Sequence, residues 1–362
     1  MKIVHTEVSD VIMPKEDPKW KFALGARPES VAVLLTVHTE HGAVGHGIVS
    51  EIPHLGYPLE VVKGVITSLA DRLVGADIRE RRPMMAELER HSGDCRPAMA
   101  AVEMAIYDAA GRLQGVPVYQ LMGGAFRKSI PVLRILSIKQ PEEIAANALK
   151  LVNQGYRYLK IKIDNEDLEL DAARIRAVRA AVGDSVHLTL DANQSYTPKD
   201  AVTLFRKVES ERIDLFEQPV NAKDWDGLKY VTDSVSCLVE ADESAYSKED
   251  IYRLVKDRAV DCISMKVLKL GGIDALREVA SLCEMARIRC RVGANVGSRL
   301  LNAAAMHFVA ATPNIGYACE VGEFERLLND PFEGLSVQNG VLTVPEGPGL
   351  GVNLKAVGAN VE

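Results

Sequence analysis

The chain alternates short runs of β-branched and apolar residues with longer segments that carry apolar positions at helical spacing. "YRYLKIKID", Tyr156 to Asp164, is one such run. Leu159, Ile161 and Ile163 alternate with Tyr158, Lys160 and Lys162, so the stretch predicts a strand with one apolar face and one lysine face. The helix-like segment "LELDAARIRAVRAAVG" follows it. The same order recurs in "VHLTLDAN" before "TPKDAVTLFRKVES", "IDLFEQP" before "WDGLKYVTDSV", and "CLVEADES" before "SKEDIYRLVKDRA". It continues with "DCISMKVLKLGG" before "IDALREVASLCEMAR" and "RCRVGANVGS" before "RLLNAAAMHFVAA". "SIPVLRIL" opens the series and "NIGYACEVGE" closes it.

This alternation implies parallel strands, and the number of similar units favours a closed barrel over an open doubly wound sheet. The first strand is not followed by a Gly-rich dinucleotide fingerprint. The predicted fold class is α/β, a (β/α)7β barrel of the TIM type. Residues 1–125 read differently, with hairpin strands first and helical pieces after, as an α+β capping domain. Residues 126–323 make the barrel, and the Gly- and Pro-rich segment 324–362 returns to the cap.

With 362 residues, 47% of them hydrophobic, the chain has material for a large core. A net charge of −7 and no long basic run argue against a nucleic-acid partner. No apolar run reaches membrane-spanning length, and the N-terminal stretch lacks the apolar core of a signal peptide. The six cysteines form no CxxC pair and lie in apolar surroundings, which predicts reduced, buried thiols in a cytoplasmic protein. His38 and His41 sit in "LLTVHTEHGAVGHG", which reads as a hairpin with its turn near "TEHG" rather than a metal site.

In a parallel barrel the chemistry sits at the C-terminal ends of the strands. There the chain places Lys160 and Lys162, Asp191 in "DANQ", Glu217 in "EQP", Asp242 in "ADES" and Lys266 in "SMKVLKLGG", each one strand–helix unit after the last. Any one acid could simply cap the following helix. Three carboxylates from adjacent strands in a dry pocket repel one another and call for a cation. All-oxygen ligation suits a hard divalent ion, best Mg²⁺, with Mn²⁺ as the substitute.

"KIK", "DAN", "EQP", "ADES" and "MKVLKLGG", in this order and spacing, resemble the enolase superfamily, and within it the muconate lactonizing enzyme subgroup of the mandelate racemase/muconate lactonizing enzyme family. The resemblance spans nearly the whole chain. It implies that Asp191, Glu217 and Asp242 bind Mg²⁺ and that Lys162 and Lys266 are acid/base catalysts, with Lys160 assisting at the substrate carboxylate. The second cation and the metal are expected to bring the Lys162 pKa down toward a base's working range. One departure is His46-Gly47-Ile48, where relatives often carry Trp-Gly-Glu. It falls in the cap.

The lysines stand on strands two and six, on opposite sides of the ring. They suit abstraction of the proton next to a small-molecule carboxylate and its return on the other face, which is racemisation or epimerisation of an amino-acid derivative. Cycloisomerisation or elimination by the same lysines, and a catalytically silent binding protein, stand as alternatives. Relatives commonly assemble, so a homo-oligomer is expected. Candidate substrate contacts are Asn193, Asn295 and Ser298 beyond strand ends, and Trp20, Phe22, His54 and Tyr57 in cap loops. The dipeptide epimerases' Asp-x-Asp pair is missing from the eighth strand, which has Glu320 and Glu323 instead. Glu320 is expected either to face a cationic or NH-bearing group of the substrate, or to pair with a nearby Arg or Lys.

Overall fold

The computed structural model describes residues 1–22, 25–26, 28–51, 56–293 and 296–355. The side chain of Phe22, and His54 and Asn295, lie outside what is described.

The capping domain begins with a meander of three antiparallel strands: β1 (Ile3–Pro14), β2 (Glu29–Thr39) and β3 (Val44–Ser50). The turn between β2 and β3 carries His41, and His38 pairs with Glu7 across the sheet. Three helices follow: α1 (Leu59–Leu73), α2 (Arg81–Glu89) and α3 (Arg96–Gln114). Helix α3 is buried over most of its length because its run of alanines lets it lie directly on β3. A Cβ at Gly45 or Gly47 would collide with the backbone carbonyl of Ala105 or Ala101, so only glycine permits this approach. Asp108 on α3 ties three segments together. It accepts from Arg112 at 3.0 Å, from the His46 amide at 3.0 Å and from the Leu350 amide at 2.8 Å. The last of these brings the C-terminal segment onto the cap.

The barrel has seven parallel strands, each hydrogen-bonded to the next: β4 (Leu133–Leu136), β5 (Tyr158–Lys162), β6 (His187–Asp191), β7 (Ile213–Glu217), β8 (Leu238–Ala241), β9 (Cys262–Met265) and β10 (Arg289–Val292). The predicted first strand is split. Ser129–Pro131 pairs antiparallel with Val341–Thr343 of the C-terminal segment, and only Leu133–Leu136 enters the barrel. The predicted eighth strand is an irregular segment that closes the ring by isolated bridges, Cys290 to Ile315 and Val132 to Cys319. The Glu320 amide also donates to Val292, and the Leu133 amide to Cys319, both at 2.9 Å.

Several outer helices start where the sequence provides caps. Asp167 accepts from the amides of Glu169 and Leu170, and Ser247 with Asp250 forms a reciprocal capping box. After β9 a short helix, Val267–Leu270, precedes the long helix Ile273–Ala286. All six cysteines are free and buried. Among the described residues no helix is long and apolar enough to cross a membrane.

Candidate active site

Register sets the site. Lys162 lies opposite Asp191, Asp191 opposite Glu217, and Glu217 opposite Glu240. Asp242 stands two residues beyond Glu240, just past the end of β8, in keeping with the stagger of a closed barrel. Leu159, Ile161 and Ile163 are fully buried on the alternate face, so both lysines of the strand point into the ring.

Lys160, Lys162, Asp191, Glu217, Asp242 and Lys266 are all buried and linked. Lys160 Nζ is 2.9 Å from both Asp191 Oδ2 and Glu217 Oε2, and 2.6 Å from Glu320 Oε1. Lys162 donates to Asp191 Oδ2 at 2.5 Å and to Asn193 Oδ1 at 2.6 Å. Lys266 donates to Asp242 Oδ2 at 2.5 Å. Burial opposes the charge of Lys160, but the carboxylates of Asp191, Glu217 and Glu320 outweigh it and hold its pKa well above the ordinary lysine value. Lys266 is raised in the same way, chiefly by Asp242.

Several neighbours were not singled out from the sequence. Lys269, on the short helix after β9, donates to Asp242 Oδ1 at 2.8 Å, to the Asp242 carbonyl at 2.7 Å and to the Ser264 carbonyl at 2.7 Å. All three ammonium protons are thereby used, and Asp242 is held from both sides. The signal was its place three residues after Lys266 in an otherwise apolar run. Gln218, in left-handed backbone, joins two strand ends: its Oε1 accepts from the amides of Asp242 (3.0 Å) and Ser244 (2.9 Å). Glu243 accepts from Asn193 at 3.1 Å. Burial, then Asp242 and Asp191, push its pKa up to about 7.

The eighth-strand acids are both paired within the barrel. Glu320 is buried and engaged by Lys160 and Arg291, which hold its pKa down at about 2 against the effect of burial. Glu323 is buried between Arg134 (3.0 Å) and Arg326. Glu320 thus has the Lys and Arg partners of the pairing alternative. Asn193 orients Lys162 and Glu243. Ser298 is buried at the start of helix Arg299–Ala311, where its carbonyl accepts from Asn302, and its hydroxyl has no hydrogen-bond partner among the described residues. Trp20 is buried in a cap segment docked on the barrel rim: the neighbouring Lys21 exchanges hydrogen bonds with Ser137, just after β4, at 2.9 Å each. Tyr57 is half-buried and donates to the Asp94 carbonyl at 2.7 Å. His46 lies in the cap, where Thr36 bonds its ring at 3.1 Å, so the departure at this position is remote from the lysine ring.

Among the described residues no three His, Cys, Asp or Glu side chains are grouped as a ready metal cage, because the lysines stand between the carboxylates. The donor set nevertheless fits a hard divalent cation. It consists of carboxylate oxygens at three adjacent strand ends, and Glu217 Oε1 is buried with no hydrogen-bond partner among the described residues.

Comparison with known proteins agrees with this architecture. Residues 4–123 match the mandelate racemase / muconate lactonizing enzyme N-terminal domain, and residues 143–357 match the enolase C-terminal domain-like family. An L-Ala-D/L-Glu epimerase of Bacillus subtilis is 34% identical over 97% of both chains. The structure superposes on a dipeptide epimerase of Enterococcus faecalis complexed with Mg and the dipeptide L-Leu-L-Tyr, with a TM-score of 0.93 and 32% identity, over 97% of this chain and 99% of that one. It also superposes on an N-succinyl Arg/Lys racemase of Bacillus cereus, with a TM-score of 0.94 and 26% identity over 98% and 96%. The barrel, its cap and these two domain matches make the chain a member of the mandelate racemase/muconate lactonizing enzyme family of the enolase superfamily.

Proposed function

We propose that this protein is a Mg²⁺-dependent isomerase that inverts the carbon next to a carboxylate in an N-acylated amino acid, by proton transfer between two lysines. One observation carries the reading. Lys162 and Lys266 rise from strands on opposite sides of the ring, and each is held by an acid of a neighbouring strand. A carbon between them can lose its proton to the neutral member of the pair and regain one from the protonated member on the other face.

Asp191, Glu217 and Asp242 would hold the cation, which supplies positive charge against the substrate carboxylate and the negative charge that develops as the proton leaves. Lys160, kept protonated by its carboxylates, adds a fixed donor at the same end of the substrate. Asn193 and Lys269 fix the two acid–lysine pairs.

The substrate class follows from the eighth strand. Glu320 and Glu323 are consumed by internal cations, so neither is available to grip a free ammonium group. An amide nitrogen on the reacting carbon needs no such partner. N-succinyl amino acids, the substrates in one relative's name, place an amide there and leave no ammonium on that nitrogen.

The test is solvent deuterium exchange with Mg²⁺ over N-acetyl and N-succinyl amino acids, dipeptides and sugar acids, read by proton NMR and chiral chromatography. α-Proton loss with inversion is expected on the N-acyl compounds, abolished by a chelator and restored by Mg²⁺. Exchange on sugar acids alone, or on nothing, contradicts the reading.

A further inference from the structure

Arg291, on β10, is fully buried and spans the barrel interior beneath the lysine ring. Its Nε lies 3.1 Å from each oxygen of Glu240 on β8. Nη2 contacts Glu240 Oε2 and Glu217 Oε2, and Nη1 contacts Glu320 Oε1. Cys262 Sγ donates to Glu240 Oε1 at 3.2 Å. One guanidinium thus joins three carboxylates from three elements, two of which also touch Lys160.

Stability does not account for this arrangement. Taking a cation and its acids out of water costs several kcal/mol per ion, and well-packed apolar replacements of such networks are often neutral or stabilising. What the network does is geometric. Glu217 Oε2 is clamped by Arg291 and Lys160, while Oε1 is buried without a hydrogen-bond partner among the described residues.

We infer that Arg291 is a positioning residue. Together with Glu240 it fixes the Glu217 carboxylate so that Oε1 is the donor left for the divalent cation, and through Glu320 it sets the Lys160 ammonium. The inference rests on the metal assignment above and goes beyond it, because it concerns a side chain that touches neither cation nor substrate.

The test is the double variant Arg291→Met/Glu240→Met. It removes one charge of each sign, keeps the net charge and fills much of the vacated volume. Fold is followed by circular dichroism, and Mn²⁺ affinity by calorimetry without substrate. A folded variant with affinity about 10- to 100-fold below wild type is expected, the usual cost of losing an outer partner of a ligand. Arg291→Lys keeps the charge but loses the planar fork, and is expected to weaken binding in the same direction; it carries the test if the double variant does not fold. Unchanged affinity in either folded variant overturns the inference. Tighter binding in Arg291→Lys or the double variant overturns it too, since losing a fixed Glu217 can only weaken the site. A wild-type protein that binds no Mn²⁺ removes the metal assignment and this inference with it.

Discussion

Gly293 follows β10 directly, and a Cβ there would meet Ser264 Oγ and come within 2.9 Å of Lys266 Cε. Gly293→Ala should therefore displace Lys266 while leaving the carboxylates in place. A misplacement of about 1 Å can cost roughly 100-fold in rate. The expected outcome is kcat reduced on that order with Mn²⁺ affinity retained; an unchanged kcat would show that Lys266 does not need this space. His307 makes a second residue-level prediction. It is fully buried, its Nδ1 accepts from the Tyr119 amide at 3.2 Å, and burial lowers its pKa from 6.5 to about 4. The unfolded chain then binds the proton more readily than the folded one, so stability from this group is present above pH 6.5 and lost as pH falls toward 4. The full loss is on the order of 3 kcal/mol. Other buried groups titrate in the same range, so the informative quantity is the stability difference between wild type and His307→Gln from urea unfolding. It should shrink as pH falls from 7 to 4. A pH-independent difference contradicts the assignment. Residue types at strand ends made the ring legible in the sequence, because unlike charges recurred once per unit. Arg291 was not legible: in "RCRV" nothing separates an inward arginine from the exposed Arg289.

At the scale of elements, the cap depends on the seam between α3, β3 and the C-terminal segment. Asp108 is the shared acceptor of that seam, fully buried and bonded to Arg112, His46 and Leu350. Asp108→Ala would leave the Arg112 charge and two amides without their acceptor. Arg112 is partly exposed and keeps the Val352 carbonyl, so the main cost is the two orphaned amides, about 1–3 kcal/mol each. The urea midpoint should fall accordingly, with the slope unchanged; a loss confined to a few tenths of a kcal/mol would mean that water replaces the carboxylate. Alternation and helical spacing predicted most barrel elements, since several of the helices carry a side-chain cap and each strand its own apolar face. The short helix Val267–Leu270 was read as part of a strand, and two elements at the barrel seam also escaped. Ser129–Pro131 is recruited by the distant segment Val341–Thr343, and the closing segment forms bridges without a regular ladder. Both depend on contacts far apart in the chain, which local pattern does not encode.

For the whole molecule, the barrel interior is a balance of fixed charges. Lys160, Lys162, Lys266, Lys269 and Arg291 face Asp191, Glu217, Glu240, Asp242 and Glu320. Glu320, expected either to face the substrate or to pair with a cation, is engaged inside this balance by Lys160 and Arg291. The central claim is that Lys162 and Lys266 act on opposite faces of one carbon. It is tested most directly by α-proton exchange in D₂O, measured separately on each enantiomer of an active N-acyl amino acid with Lys162→Ala and Lys266→Ala. The account predicts that neither variant inverts the substrate, and that each exchanges the proton of only one enantiomer, opposite for the two variants. Substantial turnover by Lys266→Ala, or loss of all exchange on both enantiomers in both folded, metal-binding variants, would contradict it.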